Sequence, residues 1–191
     1  MTKIIGITGL IASGKSTLTK YLLEKGYKVF DADKEVKDLY SEENFLNKLK
    51  IIFPDVFINN NIDKSLLAKL IFSNKNEKEK LEKLIHPLIE KKCDIFINTN
   101  QLEKTIFLDV PLLFEVGWNK KCNEIITIIL DKDIQKERYI NRGGDISLFD
   151  KILENEGDIE FKKSNSTYII DNNGNLEDFY KKVNNILSNV N

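Results

Sequence analysis

The residues best equipped for chemistry stand near the start of the chain, in Gly9-Leu10-Ile11-Ala12-Ser13-Gly14-Lys15-Ser16-Thr17. Glycine, four residues, then Gly-Lys-Ser is the Walker A spacing of a phosphate-binding loop. Gly9 and Gly14 permit backbone angles that turn amide N–H groups inward around phosphate oxygens. Ala12, Ser13 and Thr17 complete the cradle, and a helix starting at Lys15 adds its positive end. Lys15 is placed to reach the β- and γ-phosphates of a nucleotide, and the Ser16 hydroxyl to ligate Mg²⁺. A glycine-rich turn with no ligand is the plainer alternative. It needs neither the apolar run before the loop nor the amphipathic pattern after it, and both are present.

Three aspartates are the next candidates. Asp31 and Asp33 close the stretch "YKVFDAD", and Asp109 follows the apolar run "TIFL". An acid in that last position is a candidate Walker B residue, holding Mg²⁺ directly or through water. From local sequence alone, Asp33 is equally well read as the cap of a helix beginning at Lys34.

The elements that must position these groups follow from periodicity. "KIIGIT" reads as a buried strand. Leu18, Tyr21 and Leu22 mark an amphipathic helix that Gly26 stops, and Tyr27–Phe30 forms a second strand. Strand, helix and strand within so short a span indicate a parallel βαβ unit. Residues 34–100 carry apolar positions at helical spacing, punctuated by Pro54 and the asparagines at 59–61, and Pro87 is expected to end, kink or begin a helix. Strands are expected at 104–110, at 124–130 and in "STYIIDNNG", and "LEDFYKKVNNILSNV" closes the chain as a helix.

Taken in order, "GITGLIASGKST", "DAD" at 31–33, "IHPLI" at 85–89, "DVPLLFE" at 109–115 and "YIIDNNG" at 168–174 resemble the dephospho-coenzyme A kinase family. The resemblance covers nearly the whole chain. It implies a P-loop NTPase fold: a three-layer α/β/α domain with a five-stranded parallel sheet, a helical acceptor-binding insert at about 34–100 and a lid at about 138–163. It implies MgATP as phosphoryl donor and the ribose 3′-hydroxyl of dephospho-coenzyme A as acceptor. Asp33 would orient and deprotonate that hydroxyl, with Asp31 beside it supporting the magnesium water shell or the loop geometry. His86 would belong to the acceptor site's architecture without acting as acid or base. Pro111 would fix a turn, Leu112 and Leu113 would offer apolar surface to the acceptor, and Glu115 would bond its polar part.

Arg138 and Arg142, four residues apart, are candidates to fold over ATP and clamp its phosphates. Solvated helix charges are the alternative. "GG" after Arg142 is a candidate hinge, and the turn at Asn172, Asn173 and Gly174 is placed to approach adenine through backbone groups, with an ordinary turn as the alternative. The chain also departs from the family. Leu10 and Ala12 replace glycines, and Lys151, Ile152 and Glu156 stand near where an arginine and a glutamine are usual. Lys162 or Lys163 is therefore a candidate source of charge for ATP.

Composition narrows the rest. Hydrophobic residues make up 41% and charged residues 31%, enough for a buried core and against whole-chain disorder. The formal net charge of −1 lacks the basic excess of a duplex-binding domain, so no nucleic-acid partner is expected. No apolar run approaches the ~18 residues of a membrane span. The amino terminus shows no leader pattern. A cytoplasmic location is the default expectation. Cys93 and Cys122 form no CxxC or Cys/His cluster, which argues against structural zinc. Cys93 reads as a core thiol and Cys122 as a strand-edge residue. The competing readings are another small-metabolite or nucleotide kinase, and a nucleotide-dependent binding switch. A guanine-reading Asn-Lys-x-Asp segment, which a switch GTPase would need, is not found in a convincing context.

Overall fold

The computed structural model describes residues 2–155 and 157–190. In chain order, β1 (Lys3–Gly9) leads to α1 (Lys15–Glu24), and β2 (Lys28–Asp31) follows it. Next come α2 (Ala32–Leu39), α3 (Glu43–Ile52), the short strands β3 (Phe57–Ile58) and β4 (Asn61–Ile62), α4 (Lys64–Ser73) and α5 (Lys75–Thr99). Then follow β5 (Thr105–Asp109), β6 (Glu124–Ile129), α6 (Lys132–Asn141), α7 (Phe149–Asn155), α8 (Ile159–Ser164), β7 (Tyr168–Asp171) and α9 (Leu176–Val190). Packing divides them into two units, Met1–Asp31 with Thr99–Asn191, and Ala32–Asn98.

The first unit is built on a five-stranded sheet in the order β2-β5-β1-β6-β7, with every pairing parallel. Its strands are apolar on both sides, as burial on two faces requires. Ile5, Ile7, Phe107, Ile126, Ile128 and Ile170 meet Leu18 and Leu22 of α1 on one face. The same face receives Phe179, Val183, Ile186, Leu187 and Val190 of α9, at the three- and four-residue spacing of one helical stripe. On the other face, Gly6 leaves room for Leu113 and Cys122; a Cβ there would stand 2.7 Å from Leu113 Cδ2 and 2.9 Å from Cys122 Sγ. Burial pushes the Cys122 thiol up to about 12. Because the strands are parallel, Asp31, Gly9, Asp109 and the end of β6 all reach one edge of the sheet, where such folds bind ligands.

The second unit is mostly helical. Lys92 of α5 bonds Glu35 of α2 at 3.1 Å and Glu42, just before α3, at 2.7 Å. Burial pulls the Lys92 ammonium's pKa down, but hydrogen bonds to Glu42 and Glu35 outweigh it and the net shift is upward. Asn59 and Asn60 both have positive φ (50 and 67) and turn β3 back onto antiparallel β4, a hairpin that the asparagine run had marked only as punctuation. Pro87 lies inside α5 instead of bounding a helix. Its ring removes one backbone bond, yet Leu81, Ile85, Ile89 and Cys93 continue as one buried row past it. Tertiary burial overrides the local break. Among the described residues, no helix is long and apolar enough to cross a membrane.

Phe107 is fully buried at the centre of the sheet's α1/α9 face. Phe107→Ala is expected to lower unfolding stability by about 3–5 kcal/mol in urea titration, and a loss below about 1 kcal/mol would contradict this placement of the core.

Candidate active site

The loop after β1 is bent by three residues with positive φ: Gly9 at 148, Ala12 at 57 and Gly14 at 110. At Gly9 a side chain would strike the Ile128 carbonyl oxygen, and at Gly14 it would strike the Asn172 amide. The angle favours glycine at both, and at Gly9 the contact with backbone requires it as well. Alanine at 12 tolerates the left-handed region at a cost of roughly 1 kcal/mol. The Ser13 amide closes a turn onto the Leu10 carbonyl at 3.1 Å. Gly14 opens α1 with no side-chain cap among the described residues, so the helix presents its amide end. Lys15 Nζ donates to the Gly9 and Leu10 carbonyls at 2.7 and 3.3 Å, which keeps the ammonium against the loop. Ser13 Oγ is buried with no hydrogen-bond partner among the described residues. Ser16 is exposed in the first turn of α1.

Asp109 ends β5 beside the loop, in register with Ile7 of β1 and Asp31 of β2. It is 7% exposed, and Thr19 Oγ1 of α1 donates to its Oδ2 at 2.6 Å, which fixes the carboxylate's orientation. In-register residues on adjacent strands share a face, so Asp31 and Asp109 set two carboxylates side by side, an arrangement that favours a cation. Among the described residues no cluster of three or more His, Cys, Asp or Glu could cage a metal. The donors present are the Ser16 hydroxyl and aspartate oxygens. That set suits Mg²⁺, which takes one or two protein oxygens and completes its octahedron with phosphate and water.

A groove of about 280 Å³ opens beside the loop. Gly14 and Thr17 line it from the loop side, Arg138 and Arg142 supply its cations, and Asn172, Gly174 and Leu176 line it further. Arg138 lies in the last turn of α6 and donates through Nη2 to the Asn172 carbonyl at 3.0 Å. Arg142 caps that helix, and the chain turns at Gly143 with φ 82. The Asn173 side chain ties two loops together, which leaves the turn's backbone groups as the ones that could face adenine. Its Oδ1 accepts from the Asp131 amide at 2.7 Å, and its Nδ2 donates to Asp131 and Asp171 at 3.1 and 3.2 Å. Gly174 does line the groove.

The segment after Asp109 is held from two sides. The Pro111 carbonyl accepts from Thr8 Oγ1 at 2.8 Å and from Lys162 Nζ at 3.1 Å. Lys162 also pairs with Glu115 at 3.0 Å while only 1% exposed. Lys162, one of the two lysines considered as a charge for ATP, is thus buried against this segment. Lys163 bonds Glu160 on its own helix. Leu112 is half-buried, whereas Leu113 is fully buried against Gly6 and has no surface to offer an acceptor.

Asp33 and His86 belong to the second unit. Asp33 is exposed in the first turn of α2, which begins at Ala32, so it stands inside the helix instead of capping one at Lys34. His86 is exposed on α5. Lys151 and Ile152 fall in α7, and Glu156 lies outside the described residues. Asp150 of α7, in the expected lid, pairs with Lys132 of α6, outside it, at 2.9 Å, and the hydrogen bond from Lys132, with its charge, holds the Asp150 carboxyl below the usual carboxylate range. Sequence reasoning missed Thr19, Gln135 and Leu176, and it gave the Asn172 side chain no role.

A strand that delivers a bent phosphate loop, with an acid one strand away, is the arrangement of the P-loop NTPase fold. Solved shikimate kinases from Bacteroides thetaiotaomicron and Acinetobacter baumannii share the fold at TM-scores of 0.53 and 0.57, although only 14% and 15% identical. The family model for dephospho-CoA kinase matches residues 3–178, and the chain belongs to that family. A Fusobacterium nucleatum dephospho-CoA kinase is 41% identical over 94% of each chain. One from Bartonella henselae is 35% identical over 95% of this chain and 94% of its own. The solved Campylobacter jejuni dephospho-CoA kinase superposes with a TM-score of 0.74 at 26% identity, covering 100% of this chain and 98% of its own.

Lys162→Met removes the charge between α8 and the Pro111–Glu115 segment. It is expected to lower stability by about 1–3 kcal/mol in thermal or urea unfolding, because Glu115 reaches water and recovers part of its solvation. An unchanged stability would contradict the assignment.

Proposed function

We propose that this chain transfers the γ-phosphoryl group of ATP to the ribose 3′-hydroxyl of dephospho-CoA, giving CoA and ADP in the last step of CoA biosynthesis, and that it does so in the cytoplasm. The observation that carries the reading is the family match over residues 3–178, which spans the phosphate loop, Asp109 and the arginine-lined groove. Phosphoryl transfer asks little covalent chemistry of a protein; positioning and charge neutralisation do the catalysis. Loop amides and Lys15 hold the β- and γ-phosphates. Ser16 and Asp109 would hold Mg²⁺, whose charge neutralises the transferring oxygens, and Asp31 supports its water shell.

The nucleotide lies along the groove beside Gly14, with Arg138 and Arg142 on its phosphates and the Asn173–Gly174 backbone near its base. The segment 138–163 acts as a lid that excludes water, which otherwise competes for the γ-phosphate. The region 34–100 receives the acceptor, with His86 part of its architecture. Pro111, Leu112 and Glu115 carry the acceptor side of the β5 loop. Asp33 orients the ribose hydroxyl and takes its proton as the new P–O bond forms.

An ADP-release assay across dephospho-CoA, nucleoside monophosphates and shikimate tests the substrate. Dephospho-CoA is expected to give the highest kcat/KM, and preference for any other acceptor would overturn the reading. Lys15→Ala is expected to weaken ATP binding and turnover together. Asp33→Asn is expected to keep the ATP Kd within about twofold while kcat falls by roughly 10²–10⁴, and near-normal turnover would remove Asp33 from the mechanism.

A further inference from the structure

The carbonyls on either side of Ala12 are each bonded by a distant amide side chain. Gln135 Nε2 of α6 donates to the Ile11 carbonyl at 2.7 Å. Asn172 Nδ2, just beyond β7, donates to the Ser13 carbonyl at 2.7 Å. Both side chains are buried, Gln135 at 2% exposure and Asn172 at 7%. Between them sits Ala12, 8% exposed, with φ 57. A Cβ in the left-handed region is disfavoured, so the backbone at 12 has a standing tendency to relax. Relaxing would rotate the Ile11–Ala12 peptide plane, with the Ile11 carbonyl, and displace the Ser13–Gly14 plane one residue further on, with the Ser13 carbonyl. The amides on the opposite sides of those planes are the ones a phosphate loop aims at its anion.

We infer that Gln135 and Asn172 are positioning residues that lock the phosphate loop around a strained Ala12, so that the anion-binding amides stay aimed without a glycine at position 12. Neither side chain needs to touch the nucleotide. The Asn172 carbonyl also accepts from Arg138 at 3.0 Å, so the same residue joins the loop to a groove arginine. The Asn172 amide further occupies the space that a side chain at Gly14 would need.

The inference rests only on the ATP-site half of the proposed function, so it is tested by direct titration of ATP, with no acceptor and no turnover. Gln135→Met keeps the length of the side chain and removes its donor. With Ala12 in place it is expected to raise the ATP Kd about fivefold, the Boltzmann factor of one left-handed non-glycine residue. Combined with Ala12→Gly, which removes the strain, the same substitution is expected to raise Kd less than about twofold relative to Ala12→Gly alone. Asn172→Ala is expected to show the same dependence on residue 12, and serves if Gln135→Met does not fold. Thermal midpoints measured in parallel separate packing from positioning, since lost packing lowers the midpoint equally whether Ala12 is kept or replaced. An equal Kd penalty in the two backgrounds, or a lower midpoint with Kd unchanged, would overturn the inference. Failure of the unmodified protein to bind ATP would instead overturn the functional reading on which it stands.

Discussion

The shape of six backbone residues, Gly9 to Gly14, governs what the rest of the molecule can do. Three of them hold positive φ, and the loop closes on itself through the Ser13 amide and the Leu10 carbonyl. Such a segment does not hold its form alone. It is anchored by β1 in the centre of the sheet on one side and by α1 on the other, with Leu18 and Leu22 sunk into the core. Ile128 of β6 crowds Gly9, and Asn172 crowds Gly14. The parallel sheet thus does more than support the loop: the β6 backbone closes the space at Gly9, and the Asn172 side chain just beyond β7 fills the space at Gly14.

Charge is arranged along the same edge. Asp31 and Asp109 stand in register at the ends of adjacent strands, and Thr19 fixes Asp109 from α1. The cations come from elsewhere in the first unit: Lys15 against the loop, Arg138 and Arg142 across the groove. Lys162, by contrast, is withdrawn from solvent to brace Glu115 and the Pro111 carbonyl. One residue type serves two purposes, and burial decides which.

Much of this was legible in the sequence because it is local. Apolar runs placed β1, β5, β6 and β7, the stripe of α9 was readable from its spacing, and the glycines of the loop announced themselves. What escaped depends on contacts between residues far apart in the chain. Asn172 and Ser13 are 159 positions apart, Gln135 and Ile11 are 124 apart, and no periodicity marks either pair. Lys162 read as a candidate charge for ATP because nothing local marks its pairing with Glu115 and the Pro111 carbonyl. Pro87 reads as a breaker by local rules, but a buried row on both sides of it carries α5 through. Leu113 looked like exposed loop surface because sequence does not reveal that Gly6 opens a pocket beneath it. Asp33 was ambiguous between cap and catalyst; the helix start at Ala32 removes the capping role at Lys34 and leaves the chemical one to experiment.

The destination of the phosphoryl group decides the mechanism. Mass spectrometry and ³¹P NMR of the product formed from ATP and dephospho-CoA read this directly. A gain of one phosphoryl group on the ribose 3′ oxygen is the expected result. Unmodified dephospho-CoA in the presence of intact enzyme and MgATP, or a phosphoryl group on any other oxygen, would contradict it.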